Sequence, residues 1–220
     1  MHDPMQSSLF DDPHQPSRRE TLGEQTFVLR GFALPWLDEI LPALRGVLKA
    51  APFRRMETPG GHTMSVALSN CGQYGWSTDE RGYRYVSDDP LTGRPWPDLP
   101  EVLRTLARNA AAAAGFDDFS PDACLLNRYV PGAKMSLHQD RDERDYDAPI
   151  VSVSLGLAAM FQLGGLQRSD RPLRVPLLHG DVMVWGGVDR LRFHGVLPLK
   201  DGVHPLMGPQ RINFTLRKAG

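Results

Sequence analysis

Arg211-Ile212-Asn213-Phe214-Thr215-Leu216-Arg217 alternates strictly between polar and apolar side chains. A period of two is the signature of a β-strand, so Arg211, Asn213, Thr215 and Arg217 share one face and Ile212, Phe214 and Leu216 the other. Two arginines on a face turned toward a core are costly unless an anion neutralises them. Arginine is also the side chain best suited to bidentate carboxylate recognition. The strand therefore points to a layered β fold, and by itself leaves open a solvated polar side or an anion pocket between the layers.

Upstream, Asp122 marks a change to period two. Strands are expected near Cys124–Val130, Ile150–Leu157, Met160–Leu163, Leu173–Leu178, Val182–Trp185 and Phe193–Leu199, separated by Gly, Pro and Asp. So many short strands predict a sandwich or jelly-roll barrel. Helices flank it. Trp36, Leu37, Ile40, Leu41, Leu44, Val47 and Leu48 recur at helical spacing, with Pro42 either kinking the helix or marking its start. A second helix is expected after Asp98 as N-cap, with Leu99, Val102, Leu103 and Leu106 as its stripe and Gly115 as its stop. Residues 1–24 read as a flexible tail and 25–220 as one domain, with a loop-rich stretch at about 50–97.

Hydrophobic residues make up 41% and charged residues 23% of the 220, as in ordinary globular proteins. The formal net charge of -1 gives no global field for nucleic acid, although a local basic groove remains compatible with it. Cys71 and Cys124 are too few for a disulfide framework and read as buried free thiols. No signal peptide or membrane-length apolar run is seen, and a cytoplasmic monomer is expected.

The chemistry gathers at Ser136-Leu137-His138-Gln139-Asp140. In an extended segment His138 and Asp140 face one side, and a third ligand must come from elsewhere. His194, in Arg192-Phe193-His194-Gly195-Val196, is the best candidate because it too lies in a strand. Two histidines and one carboxylate on one face of a metal are the facial triad of non-haem Fe(II) oxygenases. The same ligands also suit a zinc hydrolase, and these residues alone leave both open. His2 and His14 lie in the tail, while His62, His179 and His204 read as surface residues in turns. Asn127 and Tyr129 share a face of Leu126–Val130 and can bond the anion expected at Arg211, unless that face is simply solvated.

Asn127-Arg128-Tyr129, Ser136–Asp140, Val151–Gly156, Trp185-Gly186-Gly187, His194-Gly195 and Arg211–Arg217 closely resemble the AlkB family of nucleic-acid dealkylating dioxygenases. Pro59-Gly60-Gly61, Ser69–Gly72 and Gly75-Trp76 extend the likeness, which runs from about Phe27 onward and is nearest to the bacterial members. The resemblance implies a double-stranded β-helix (jelly-roll) core, with residues 50–97 as an N-terminal nucleotide-recognition lid. It implies Fe(II) on His138, Asp140 and His194, with 2-oxoglutarate and O2 as co-substrates. By the same resemblance Arg211 holds the distal carboxylate of 2-oxoglutarate, with Asn127, Tyr129, Asn213 and Arg217 around it. The implied products are succinate, CO2, an aldehyde and the restored base.

A base must leave the stack to reach a buried metal. By resemblance Trp76 stacks on it, Tyr83 lies nearby and Asp142 contacts it, a carboxylate that suits cationic N1-methyladenine and N3-methylcytosine. Read without the resemblance, Trp76 and Tyr83 serve equally well as packing residues. Lys134, Arg141 and Arg168 offer charge to phosphates. Arg141 stands where the family pattern has lysine, and Leu68 where it has methionine. The expected substrate is alkylated DNA, single-stranded by preference, with double-stranded DNA, RNA or tRNA as alternatives. A different substrate class and a non-catalytic nucleic-acid- or metal-binding module are the remaining readings.

Overall fold

The computed structural model describes residues 18–220; the rest of the expected tail, with His2 and His14, lies outside the described residues. The chain runs β1 (Arg19–Thr21), β2 (Thr26–Leu29), α1 (Leu37–Ala50), β3 (Ala67–Gly72), β4 (Gly75–Asp79), β5 (Gly82–Val86) and α2 (Glu101–Ala113). It continues β6 (Ala123–Tyr129), β7 (Met135–His138), β8 (Ile150–Gly156), β9 (Ala159–Leu163), β10 (Leu173–Leu177), β11 (Val182–Trp185), β12 (His194–Val196) and β13 (Arg211–Arg217).

Seven strands form one sheet in the order β1-β2-β11-β8-β13-β6-β3, four form a second in the order β10-β9-β12-β7, and β4 with β5 makes a separate hairpin. The strands of the two sheets pair antiparallel and pack as a jelly roll, as expected. The β13 strand lies between β8 and β6, and its alternation divides the core. Ile212, Phe214 and Leu216 pack with Leu103 and Leu106 of α2 and with Ile40, Leu44 and Val47 of α1. Both helices thus cover the outer face of the large sheet. Complete burial of Phe214 alone is worth about 1.5–3 kcal/mol. The other face of β13 looks between the sheets, beside Met183, Trp185, Phe161, Leu163 and Val196.

Four local expectations change. Arg19–Thr21, assigned to the tail, is a strand: it pairs with β2, and the Arg19 guanidinium lies 3.8 Å over the Phe27 ring. Pro42 does not start α1, which begins at Leu37 and runs through it at the expense of one intrahelical bond. Asp98 is not the cap of α2; Pro100 occupies that place at ψ 138°, and the residue before a proline resists helical geometry. The stretch expected to be loop-rich contains β3, a fully buried strand of the large sheet, and the β4–β5 hairpin.

Candidate active site

His138 ends β7, and its register partner on β12 is His194, so antiparallel pairing sets the two imidazoles opposite each other. Their ring centroids are 4.4 Å apart. Asp140 follows two residues after His138, with Oδ1 3.6 Å from His138 Nε2 and Oδ2 3.7 Å from His194 Nε2. One ligand atom from each residue falls within 4.8 Å of the others. The close crossing of β12 and β7 needs Gly195, where a Cβ would sit 2.7 Å from the Met135 carbonyl oxygen.

Each imidazole is oriented by the backbone. His138 Nδ1 lies 2.8 Å from the Ser136 carbonyl and His194 Nδ1 3.0 Å from the Arg192 carbonyl. A carbonyl accepts only, so Nδ1 carries the proton and Nε2 keeps its lone pair for a metal. Burial, followed by the neighbouring His138, pushes His194 down to about 4, which keeps it neutral. Burial works against ionisation of Asp140, but Arg217 and the two histidines overcome it and hold the carboxyl well below its usual range. The donor set fits a divalent metal with open positions.

On β13, in the larger sheet, sits Arg211, 1% exposed. Its Nη2 donates to Ser154 Oγ at 2.9 Å, and its guanidinium lies 5.1 Å over the Tyr129 ring. Its Nε and Nη1 have no hydrogen-bond partner, nor has Asn127 Oδ1. Burial lowers the Arg211 pKa from its ordinary value. Asn213 lies one step along β13, donating to Ser152 Oγ at 2.7 Å and accepting from Thr215 at 3.0 Å. Buried, unpartnered guanidinium donors fit a carboxylate of a small dicarboxylate such as 2-oxoglutarate.

Arg217 has different neighbours from Arg211. Its Nε and Nη2 reach Asp140 Oδ2 at 3.1 and 2.7 Å, and its Nε lies 3.2 Å from Glu143 Oε1. Arg217 therefore holds a member of the triad. Burial opposes its charge, yet Asp140, Tyr85 and Glu143 raise its pKa.

The hairpin packs beside this cluster. Trp76 and Tyr85 are register partners, and Trp76 stacks on Tyr83 with centroids 5.6 Å apart. Trp76 Nε1 donates to Asp142 Oδ2 at 2.7 Å, and Tyr85 OH to Glu143 Oε1 at 2.8 Å. Asp142 is raised by burial and by the nearby Glu143 and Asp140, against the Trp76 bond. At the rim, Arg168 donates to the Leu137 carbonyl at 2.8 Å, and Lys134 is exposed. Of the residues that the sequence points to, the triad comes together, as do Arg211 with Tyr129, Asn127 with Asn213, and Trp76 with Tyr83 and Asp142, whereas Arg217 joins the triad instead of Arg211. Tyr85, Glu143 and Arg190 join the site without any motif or strand period that marks them, apart from Glu143 lying next to Asp142. His179 and His204 are not free surface residues either, because their rings pair 4.3 Å apart.

Residues 25–217 match a family model described as the 2OG-Fe(II) oxygenase superfamily. The chain is 54% identical over 202 residues to the alpha-ketoglutarate-dependent dioxygenase AlkB of Escherichia coli (strain K12), covering 92% of this chain and 94% of that one. It is 38% identical over 125 residues to the human nucleic acid dioxygenase ALKBH1, covering 55% of this chain and 32% of that one. The solved structure of OsALKBH1 superposes with a TM-score of 0.79 at 28% identity, covering 91% of this chain and all 100% of that one.

Proposed function

The chain belongs to the AlkB family of the 2OG-Fe(II) oxygenase superfamily, and from that premise we propose that it oxidatively dealkylates nucleic-acid bases. It is an Fe(II)- and 2-oxoglutarate-dependent dioxygenase. The observation that carries the nucleic-acid assignment is the Trp76–Asp142 bond: an aromatic ring is pinned to a carboxylate two residues from Asp140. A base flipped onto Trp76 reaches the triad, and Asp142 favours a base made cationic by alkylation. Nucleic acid is also the substrate class in the name of the human relative.

In this reading His138, Asp140 and His194 hold the metal and Arg211 the distal carboxylate of 2-oxoglutarate. Asn127, Tyr129 and Asn213 line the co-substrate, with Arg217 at its metal end. Iron with 2-oxoglutarate bound supplies the oxidation of the alkyl carbon by O2, releasing succinate and CO2. Within the stretch at about 50–97, the segments outside β3, above all the β4–β5 hairpin, serve as the recognition lid, with Trp76 and Tyr83 against the base and Lys134 and Arg168 near phosphates. The enzyme acts as a cytoplasmic monomer and prefers alkylated single-stranded DNA. No helix among the described residues is long and apolar enough to cross a membrane.

The test is turnover of oligonucleotides carrying N1-methyladenine or N3-methylcytosine with Fe(II), 2-oxoglutarate and O2. Succinate, formaldehyde and unmodified base are expected in equal amounts. Faster turnover of matched RNA would reverse the DNA preference, and succinate without base repair would sink the nucleic-acid reading.

A further inference from the structure

We propose that Glu143 is a positioning residue that holds the metal-binding carboxylate and the β4–β5 hairpin in one arrangement. Resting on the function proposed above, it names a residue on which both the metal and the substrate side depend. The Glu143 side chain is 2% exposed, accepts two hydrogen bonds, from Arg190 and Tyr85, and forms an ion pair with Arg217. Arg217 Nε lies 3.2 Å from Oε1, Arg190 Nη2 lies 3.1 Å from Oε2, and Tyr85 OH donates to Oε1 at 2.8 Å. A buried carboxylate facing two guanidinium groups and a phenol acts as a shared acceptor.

Each donor leads to a different part of the site. Arg217 continues to Asp140 Oδ2, so Glu143 orients the guanidinium that orients the metal ligand. Arg190 also donates to the Asp140 and Ala148 carbonyls, at 3.0 and 3.2 Å, and so pins the segment that carries Asp140, Asp142 and Glu143. Tyr85 lies opposite Trp76 across the hairpin, and these two cross-strand rings dock on successive carboxylates. The hairpin thus rests on the metal-binding segment through two bonds. Glu143 supplies the buried one.

Glu143→Gln and Tyr85→Phe separate the two roles. The first disturbs both arms, because a Gln amide donor faces donors already in place; the second removes only the hairpin bond. Mn(II) binding to the metal-free protein, followed by isothermal titration, reports the metal arm without turnover. In Glu143→Gln the Mn(II) Kd rises about tenfold, as loss of an outer partner of a ligand does. In Tyr85→Phe it stays within about twofold, while KM for a methylated oligonucleotide rises about fivefold, more than kcat falls, as for one lost hydrogen bond. Unchanged Mn(II) affinity in Glu143→Gln overturns the metal arm, and unchanged KM in Tyr85→Phe overturns the hairpin arm. Should Glu143→Gln fail to fold, the Tyr85→Phe KM decides. Should the wild type not dealkylate nucleic acid, the proposed function falls while the Mn(II) titration still decides the role of Glu143.

Discussion

Arg211 Nη2 donates to Ser154 Oγ at 2.9 Å, while Nε and Nη1 stay unpartnered in a fully enclosed position. A buried guanidinium with open donors lowers the stability of the free protein, and a bound carboxylate restores it. The unfavourable arrangement is what makes the pocket selective for an anion.

Adding 2-oxoglutarate to the Mn(II) protein at a hundred times its Kd is expected to stabilise it by about 2.7 kcal/mol. For a chain of this size that is a rise in Tm of roughly 5–10 °C. Arg211→Met should abolish the rise while melting no lower than the free wild type, because it removes an unsatisfied buried charge. An equal rise in the variant, read by differential scanning fluorimetry, would place the co-substrate elsewhere.

His194→Ala removes the imidazole directly opposite His138. Mn(II) affinity should fall by more than the roughly 10–100-fold typical of losing an outer partner, and turnover should vanish. Titration of the metal-free variant checks this; affinity near that of the wild type would remove His194 from the ligand set.

Trp76 offers both a ring and an N–H to Asp142. Trp76→Ala should raise KM for a methylated oligonucleotide by about one to two orders of magnitude, since stacking on an aromatic is worth about 1–3 kcal/mol per base. Trp76→Phe keeps a ring and should lose clearly less. Steady-state kinetics on both variants distinguishes stacking from the Asp142 bond, and equal losses would argue against the stacked base.

Acid should destabilise the metal-free protein through its histidines. Burial, then His204, lowers the pKa of His179, and burial lowers that of His204 and brings His194 to about 4. For a histidine with a depressed folded pKa, the unfolded chain binds the proton more tightly. The neutral form's stabilisation is complete above about pH 6.5 and is lost as pH falls toward the folded values. Structurally, His179 Nδ1 accepts the Gly156 N–H at 2.9 Å, a bond that protonation at Nδ1 breaks. Tm is therefore expected to fall between pH 7 and 5, by up to about 1.4 kcal/mol of stability per pKa unit per group. His204→Gln should flatten that slope in part; a slope identical to the wild type would exclude the pair as its source.

Much of the fold was legible because strand faces follow from a two-residue period. The polar and apolar faces of β13, and the spans of β6, β8, β9, β10 and β11, came within a residue or two of their expected limits. Helix starts were less so. A capping residue acts only if the backbone allows it, and Pro100 placed Asp98 outside α2. Glu143, Tyr85 and Arg190 left no periodic trace, since each is defined by partners 42 or more positions away.

The sequence by itself determined the ligand types, the shared side of His138 and Asp140, and the arginine-bearing face of β13, because residue chemistry and strand period are local properties. Only the tertiary structure decided that β12 meets β7 in the register that opposes His194 to His138. It also separated two arginines that look equivalent in the alternating strand. Arg211 lies among neutral side chains with donors to spare, whereas Arg217 meets Asp140 and Glu143. The physical reason is that alternation specifies a direction from the backbone, while the partner waiting there depends on how distant segments pack.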